Sequence, residues 1–232
     1  QKYVKKFIIT ESTFLHSGKT KKLNFDIKKF SKFKDKIEYI VVDKLPDGIE
    51  TINSDDNVEL RNKKILDNSL KRENNQRNQL MQGLKNVSDE DLVLSSDLDE
   101  IPNFQNFKFN NRIVLFEQNF FYYKFNLMQP NFKWVGTRAC KKKHLISPQW
   151  LRNIKDRSYP IWRLDILFSK NKYSNIKSIN DGGWHFSYLK TPEEIEKKLK
   201  SYLHHREYDL NPMGINRIKS LIEKKETVYN LK

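Results

Sequence analysis

The chain has 232 residues, of which 37% are hydrophobic and 12% aromatic, so it can bury the core of one large domain. Its 44 lysines and arginines exceed its 29 aspartates and glutamates, and the net charge of +15 favours an anionic partner such as nucleic acid, a membrane surface or a phosphorylated substrate. Cys140 is the only cysteine, which excludes an internal disulfide and a zinc site built from thiolates. No apolar run reaches the roughly 18 residues of a membrane-spanning helix. We therefore expect a cytoplasmic protein, either free or peripheral at a membrane face.

The first part of the chain predicts strands that alternate with a helix. Phe7–Thr10, Ile37–Val42 and Leu92–Leu94 are short apolar runs bounded by polar residues, a pattern typical of buried strands in a parallel sheet. Between the second and third runs, apolar residues recur at steps of three and four over 66–84, which predicts a helix. This alternation predicts an α/β domain with right-handed crossovers.

The second part of the chain predicts more strands and a well-marked helix start. Arg112–Asn126 is too aromatic and β-branched for a helix and predicts one or two strands, and Trp134–Ala139 and Gly183–Leu189 predict others. A helix is expected to begin after Thr191, where the sequence has the pattern of a capping box. No repeat or Gly/Ser/Pro-rich linker divides the chain, so we expect a single domain over residues 1–232.

A cluster of carboxylates follows the apolar run that ends at Leu94. In open α/β sheets ligands bind beyond the carboxyl ends of the strands, which is where Asp97 and Asp99 would lie. These two residues project to the same side of an extended backbone. Adjacent carboxylates repel each other unless a cation lies between them, and oxygen ligands favour Mn²⁺ or Mg²⁺. The segment predicts a divalent-metal site, with an ordinary acidic turn as the alternative.

Other polar residues could complete such a site. His185 is an acceptable third metal ligand, although a histidine beside aromatic residues is also typical of a core. Arg77 and Asn78 could reach a donor pocket, or Arg77 could simply pair with Glu73 one helical turn away. Glu11 follows the first predicted strand, where its carboxylate could accept hydrogen bonds from a base or a ribose.

Five separated stretches of the chain are distinctive. They are FIITESTFLHSGKTKKLNF (Phe7–Phe25), ENNQRNQLMQGL (Glu73–Leu84), SSDLDEIP (Ser95–Pro102), KWVG (Lys133–Gly136) and GGWHFSYL (Gly182–Leu189). In this order they resemble glycosyltransferase family 17, whose members include the β-1,4-mannosyl-glycoprotein N-acetylglucosaminyltransferase. Family members usually begin with another strand before the position of Phe7, and we expect this chain to lack that first strand.

The resemblance implies a GT-A fold, with a Rossmann-like, mostly parallel central sheet flanked by helices. It also implies inverting transfer of a sugar, N-acetylglucosamine in the characterised relatives, from a UDP-sugar donor to a glycan acceptor. By this analogy Asp97, Asp99 and His185 would hold Mn²⁺ or Mg²⁺, and Asp97 would also bind the ribose. Glu11 and Arg77, with Asn78 beside them, would line the nucleotide pocket.

The expected reaction is an in-line displacement, in which a carboxylate takes the proton from the acceptor hydroxyl while the metal neutralises the departing diphosphate. The candidate bases are Asp165, Asp181 and Glu117. Trp134 could stack on a sugar ring, and Arg138 could bind a phosphate or an anionic acceptor.

Other functions are compatible with the same sequence. A nucleic-acid-binding module would account for the positive charge and the interleaved aromatic residues, and would bind oligonucleotides in a salt-sensitive way. An inactive relative would bind UDP with metal but consume no UDP-sugar. A nearer alternative is a transferase that places a different sugar on a surface polysaccharide. We favour the glycosyltransferase, with a UDP-sugar and a glycan as partners in preference to nucleic acid.

Overall fold

The computed structural model describes residues 3–105 and 107–227. The chain folds into two compact units, the first formed by residues 1–85 together with 190–232, and the second by residues 86–189. They are called unit 1 and unit 2 below. The single-domain organisation stays a prediction. None of the described helices is long and apolar enough to cross a bilayer.

The described residues form eight strands and six α-helices. In chain order they are β1 (Phe7–Ser12), β2 (Ile37–Val42), α1 (Val58–Asn78), β3 (Leu92–Ser95), β4 (Glu100–Pro102), β5 (Ile113–Tyr122), β6 (Met128–Lys141), α2 (Pro148–Asn153), α3 (Asp165–Phe168), β7 (Ile176–Ile179), β8 (Gly183–Ser187), α4 (Pro192–Leu199), α5 (His205–Leu210) and α6 (Gly214–Lys224). Three 3₁₀ segments span Ile27–Lys36, Gln79–Leu84 and Lys142–His144.

Unit 1 is built on a parallel pair of strands, β1 and β2, in which Phe7 lies opposite Ile37. Helix α1 begins after Asn57, whose side chain accepts a hydrogen bond from the Leu60 amide at 2.8 Å, and continues into the 3₁₀ segment over 79–84. This segment packs against both strands. The two predicted strands and the helix that follows them are confirmed.

The C-terminal helices of unit 1 begin with the predicted capping box. Thr191 Oγ1 accepts from the Glu194 amide at 3.3 Å, and Glu194 Oε2 accepts from the Thr191 amide at 3.0 Å. The two side chains thus supply partners for backbone amides that a helix start would otherwise leave unsatisfied. Helix α4 then packs against α6, and Ile195, Leu199 and Ile218 are fully buried.

Unit 2 contains a six-stranded mixed sheet. Its hydrogen-bonded order is β3-β6-β5-β8-β4, and β7 also pairs with β5. Strand β5 is parallel to β7 and β8, whereas the pairs β3–β6, β5–β6 and β4–β8 are antiparallel. The predicted α/β class is therefore confirmed, but a mostly parallel central sheet is not.

The connections explain why the larger sheet is mixed. The predicted strand region over 112–126 forms one strand, β5, and only residues 123–127 separate it from β6. Strands joined by so short a turn must be antiparallel, because a parallel crossover needs about a dozen residues or more. Strand β3, expected to be parallel, pairs antiparallel with β6 instead.

The core of unit 2 lies on both sides of β5. Ile113 and Leu115 pack with Leu151 of α2 in one buried cluster, and Val114 and Phe116 belong to a second. All five side chains are fully buried. Strand β5 is thus buried on both faces, and one of these faces packs against α2. Helix α2 contributes a residue to the site described below.

We expect Gly83→Ala to destabilise unit 1, because a methyl group on Gly83 would lie within 2.9 Å of three carbon atoms of the Ile8 side chain. Overpacking of this kind costs about 1–3 kcal/mol in free energy of unfolding. Ile8→Ala removes those atoms, so the double variant should lose less than the sum of the two single losses. Urea unfolding followed by circular dichroism measures all four proteins of the cycle. Strictly additive losses would contradict the proposed contact.

Candidate active site

Glu100 is the buried centre of the candidate site in unit 2, and its side chain has no exposed area. Its carboxylate accepts hydrogen bonds from the Trp134 indole nitrogen at 2.8 Å, from the Thr137 hydroxyl at 3.3 Å and from the Asp97 amide at 3.0 Å. These partners come from β6 and from the turn between β3 and β4. The carboxylate therefore joins the segment Asp97–Glu100, called the acidic motif below, to strand β6.

Arg152 supplies the positive charge that this carboxylate needs. Its Nη1 lies 2.9 Å from Glu100 Oε2 and its Nη2 lies 2.9 Å from Glu100 Oε1, which is the bidentate arrangement of a strong ion pair. The same Nη2 lies 2.9 Å from Asp97 Oδ2, and the guanidinium also donates to the Gly136 carbonyl. One arginine thus neutralises a buried carboxylate and fixes a second one at the surface.

Helix α2 and Arg138 place Arg152 at the site. The helix begins at Ser147, whose hydroxyl accepts from the Trp150 amide at 3.1 Å, and Leu151 anchors it in the core. Arg138, which the sequence predicted as a phosphate or acceptor ligand, donates to the carbonyls of Leu151 and Ile154 at the end of α2. A cation at this position also interacts favourably with the helix dipole.

Two glycines of the distinctive stretches are required by this packing. A Cβ on Gly136 would overlap both Glu100 Oε1 and Trp134 Nε1, so a larger residue would break their hydrogen bond. Gly183 has a φ of +128° and its Cβ would overlap the Ile101 carbonyl, because β8 and β4 lie close together there. The glycines of the KWVG and GGWHFSYL stretches therefore allow the close packing around Glu100 and around strand β4.

His185 lies on β8 opposite Glu100, and its orientation is set by two aromatic rings. Its imidazole stacks on Phe120 and on Trp134, each with a centroid separation of 4.7 Å. Its Nε2 is 3.5 Å from Asp99 Oδ1, while its Nδ1 is buried and has no hydrogen-bond partner among residues 3–105 and 107–227. The structure therefore brings Asp99 and His185 together, and their role as metal ligands stays a prediction.

Asp99 and His185 are residue types that could share a divalent metal ion. A separation of 3.5 Å between Oδ1 and Nε2 is close to the about 3 Å between neighbouring ligands of a small octahedral ion. One carboxylate and one imidazole suit Mn²⁺. Within 3–105 and 107–227, no group of three or more His, Cys, Asp or Glu is arranged to hold a metal ion. An ion on this pair would therefore need further oxygens from substrate or water.

Asp165, the first candidate base, lies on α3 and is paired with two cations. Arg163 Nη2 and Lys172 Nζ lie 2.8 Å and 2.7 Å from its Oδ2. The hydrogen bonds from Arg163 and then Lys172 lower the pKa of Asp165 to about 2. A carboxylate with so low a pKa accepts protons weakly.

The other two candidate bases are not brought to the Asp99–His185 pair. Asp181 is 84% exposed and lies before the start of β8, whereas His185 is the third residue of that strand and is buried. Glu117 precedes Gln118, which lies opposite Trp134 on the site's face of the sheet. Because successive strand residues face opposite sides, Glu117 projects from the other face.

In unit 1, Glu11 fastens the segment after β1 to the strand pair. Its carboxylate accepts from the Lys21 ammonium, the amides of Asn24 and Phe25, and the Tyr39 hydroxyl. Burial alone would raise the pKa of Glu11, but the hydrogen bonds from these groups lower it to about 2. Its role in a nucleotide pocket stays a prediction.

Arg77 and Asn78 end helix α1 in the same unit. Arg77 lies 2.9 Å from Glu73 Oε1, so the ion pair that the sequence suggested one turn apart is confirmed. The side-chain Nε2 of the neighbouring Gln76 donates to the Thr10 carbonyl at 3.3 Å and connects the helix to β1. Nucleotide binding by Arg77 and Asn78 stays a prediction.

Comparison with protein families identifies the chain. The family model for glycosyltransferase family 17 matches residues 1–231. The chain belongs to glycosyltransferase family 17. The resemblance drawn from the five stretches is confirmed, and the protein is a glycosyltransferase enzyme. Searches of curated proteins and of solved structures returned no significant match.

In this family 17 glycosyltransferase, three of the five stretches meet around Glu100 in unit 2, and they contain Asp97, Trp134 and His185. Sequence reasoning identified the acidic motif but missed Arg152 as its counter-ion. A single arginine in a six-residue helix, 52 residues after Glu100, carries no local signal of its partner. The excess of other cations in the chain hides it further.

Arg152→Met should lower the free energy of unfolding by about 3–5 kcal/mol, because it leaves the Glu100 carboxylate buried without a counter-charge. Adding Glu100→Gln removes that charge, so the double variant should recover part of the loss. Urea unfolding measures all variants. Arg163→Met is the control, because Arg163 pairs with Asp165 at the surface and should matter little. Equal losses in the single and double variants would contradict the ion-pair argument.

The Glu11 hydrogen bonds predict a pH-dependent contribution to stability. Because the pKa of Glu11 is lower in the folded protein than its ordinary value of 4.5, the stabilisation is fully present above pH 4.5 and is lost as the pH falls towards 2. The stability difference between wild type and Glu11→Gln should therefore shrink over this range in urea unfolding. Glu223→Gln, an exposed acid of α6, controls for the loss of a charge. A difference that is independent of pH would refute the assignment.

Proposed function

We propose that this glycosyltransferase transfers a sugar, N-acetylglucosamine, from a UDP-sugar to a hydroxyl of a glycan acceptor, with inversion at the anomeric carbon and with Mn²⁺ or Mg²⁺. We further propose that its α/β architecture is a GT-A type fold. The Asp99–His185 pair carries the proposal, because it places a carboxylate oxygen of the acidic motif 3.5 Å from an imidazole nitrogen of β8. Family membership supports the reaction class.

The residues around the pair support a preorganised metal site. Asp99 and His185 would hold the ion, with Asp97 beside them, and the bound ion would neutralise charge on the departing diphosphate as a Lewis acid. Stacking on Phe120 and Trp134 fixes the imidazole ring before any ligand binds. Arg152 fixes Asp97 through its carboxylate and thereby restrains the turn that carries Asp99. Such restraint reduces the reorganisation that ligand binding would otherwise require.

The sugar and the acceptor are assigned to fewer residues. Trp134 is half-buried and is the proposed aromatic contact for a sugar ring. The general base would take the proton of the acceptor hydroxyl as the new bond forms. Asp165, Asp181 and Glu117 stay the candidates for this role, although none of the contacts described above joins them to the Asp99–His185 pair. Loss of the true base would lower kcat and leave UDP binding intact.

The decisive experiment is calorimetric titration of UDP into the purified protein with and without Mn²⁺. We expect binding that depends on the metal, and at least about tenfold weaker binding in Asp99→Asn, because the carboxylate is a charged ligand of the ion. Glu90→Gln is the matched control, since Glu90 is an exposed acid of the same unit that pairs with Lys141 and Lys143. It should bind UDP as the wild type does.

Turnover separates the enzyme from a protein that only binds the donor. Incubation with UDP-N-acetylglucosamine, Mn²⁺ and a glycan acceptor should release UDP, and proton NMR of the glycan product should show a β linkage formed from the α-linked donor. Binding of UDP without turnover on any glycan would favour the inactive relative instead. UDP affinity that is the same with and without Mn²⁺, and the same in the wild type and in Asp99→Asn, would contradict the proposed metal site.

A further inference from the structure

The segment over 160–169 of unit 2 exposes an unusual concentration of large apolar side chains. Five of them lie within eight residues, and each is between 74% and 89% exposed. They are Ile161, Trp162, Leu164, Leu167 and Phe168. Exposed apolar residues that occur singly need no explanation, but a contiguous patch of this kind marks a surface that something covers. This segment is called the apolar tip below.

The base of the apolar tip is held in place by the structure. The Tyr159 amide donates to the Tyr173 carbonyl at 3.0 Å, and the Lys155 amide donates to the Asn171 carbonyl at 2.8 Å. The Tyr159 ring is buried, and three cations lie 5.2–5.6 Å from its centroid. They are Arg157, Arg163 and Lys172. The inner side of the loop is thus already filled, and the apolar side chains project outwards.

The same loop carries a collar of positive charge. Residues 155–177 contain six lysines and arginines and two aspartates, which gives a net charge of +4. Of these two acids, Asp165 is neutralised by Arg163 and Lys172. The cations that face solvent include Lys155, Lys170 and Lys177. Exposed apolar side chains in a segment of net positive charge are complementary to one kind of surface, a bilayer with anionic headgroups over hydrocarbon.

We propose that the apolar tip inserts into the headgroup region of an anionic membrane. Trp162, Leu167 and Phe168 enter the boundary between headgroups and acyl chains, while the lysines and arginines of the collar contact lipid phosphates. Either signal alone gives weak attachment, and the combination gives reversible peripheral binding. Exposure and charge in this loop carry the proposal, which is independent of the donor chemistry proposed above.

Vesicle flotation of the full chain tests the proposal. We expect the protein to float with vesicles containing about 30% phosphatidylserine in phosphatidylcholine, and at least about tenfold less with phosphatidylcholine alone or at about 0.5 M salt. Leu167→Ser/Phe168→Ser should reduce binding to the anionic vesicles by about tenfold or more. Phe125→Ser is the matched control, because Phe125 is a 72% exposed phenylalanine of the same unit outside the tip.

Depth is measured by quenching of tryptophan fluorescence with lipids brominated on their acyl chains. We expect quenching in the wild type and its loss in Trp162→Phe, which leaves the other three tryptophans in place. The Leu167→Ser/Phe168→Ser variant should keep its circular dichroism spectrum and its UDP binding, so a failure here is distinguishable from a failure of the proposed transferase activity.

Three outcomes would overturn the proposal. The first is a wild-type protein that does not float with anionic vesicles at about 0.1 M salt. The second is flotation that the double serine variant and Phe125→Ser reduce equally. The third is a self-associating wild type in sedimentation velocity that becomes monomeric in the double serine variant, because the patch would then be an interface between copies of this chain.

Discussion

The ion pair between Glu100 and Arg152 is the constraint on which the rest of the candidate site depends. A carboxylate with no exposed area must be neutralised and hydrogen-bonded, and Arg152, Trp134 and Thr137 together meet both needs. Removing any of them leaves an uncompensated group, so the positions of α2, β4 and β6 are coupled. The Asp97 amide and carboxylate join the same network, and the acidic motif is thereby held in one conformation.

This constraint divides the acids of the motif between two tasks. Glu100 is buried within the network, and Asp97 is shared between the network and the surface. Asp99 faces His185, whose ring is fixed by Phe120 and Trp134. In the part of the chain that the structure describes, His185 Nδ1 has no hydrogen-bond partner. Because the aromatic rings already hold the His185 imidazole in place, a ligand could bind to the pair without a large rearrangement of the side chains. Trp134 belongs to both parts, which links the stability of the network to the geometry of the pair.

The role of each lysine and arginine depends on its position in the structure and not on the net charge of the chain. Two arginines bind partners within unit 2. Arg138 donates to carbonyls at the end of α2, and Arg152 pairs with the Glu100 carboxylate. Arg157, Arg163 and Lys172 surround the Tyr159 ring and support the apolar tip. The net charge of +15 therefore does not describe one continuous basic surface. Some of the cations are counter-ions inside unit 2, and others belong to the segment that carries the apolar tip.

The sequence by itself determined what depends on neighbours along the chain. The strands over Phe7–Thr10 and Ile37–Val42 follow from local polarity, and the helix start at Thr191 follows from a capping box of four residues. The family followed from five ordered stretches. Only the tertiary structure decided that β3 pairs antiparallel with β6, that Arg152 is the partner of Glu100, and that Arg163 and Lys172 hold the pKa of Asp165 at about 2. Each of these features depends on residues that are close in space but far apart in the sequence. The residues around a charge or a strand edge do not indicate which distant group will neutralise it or pair with it.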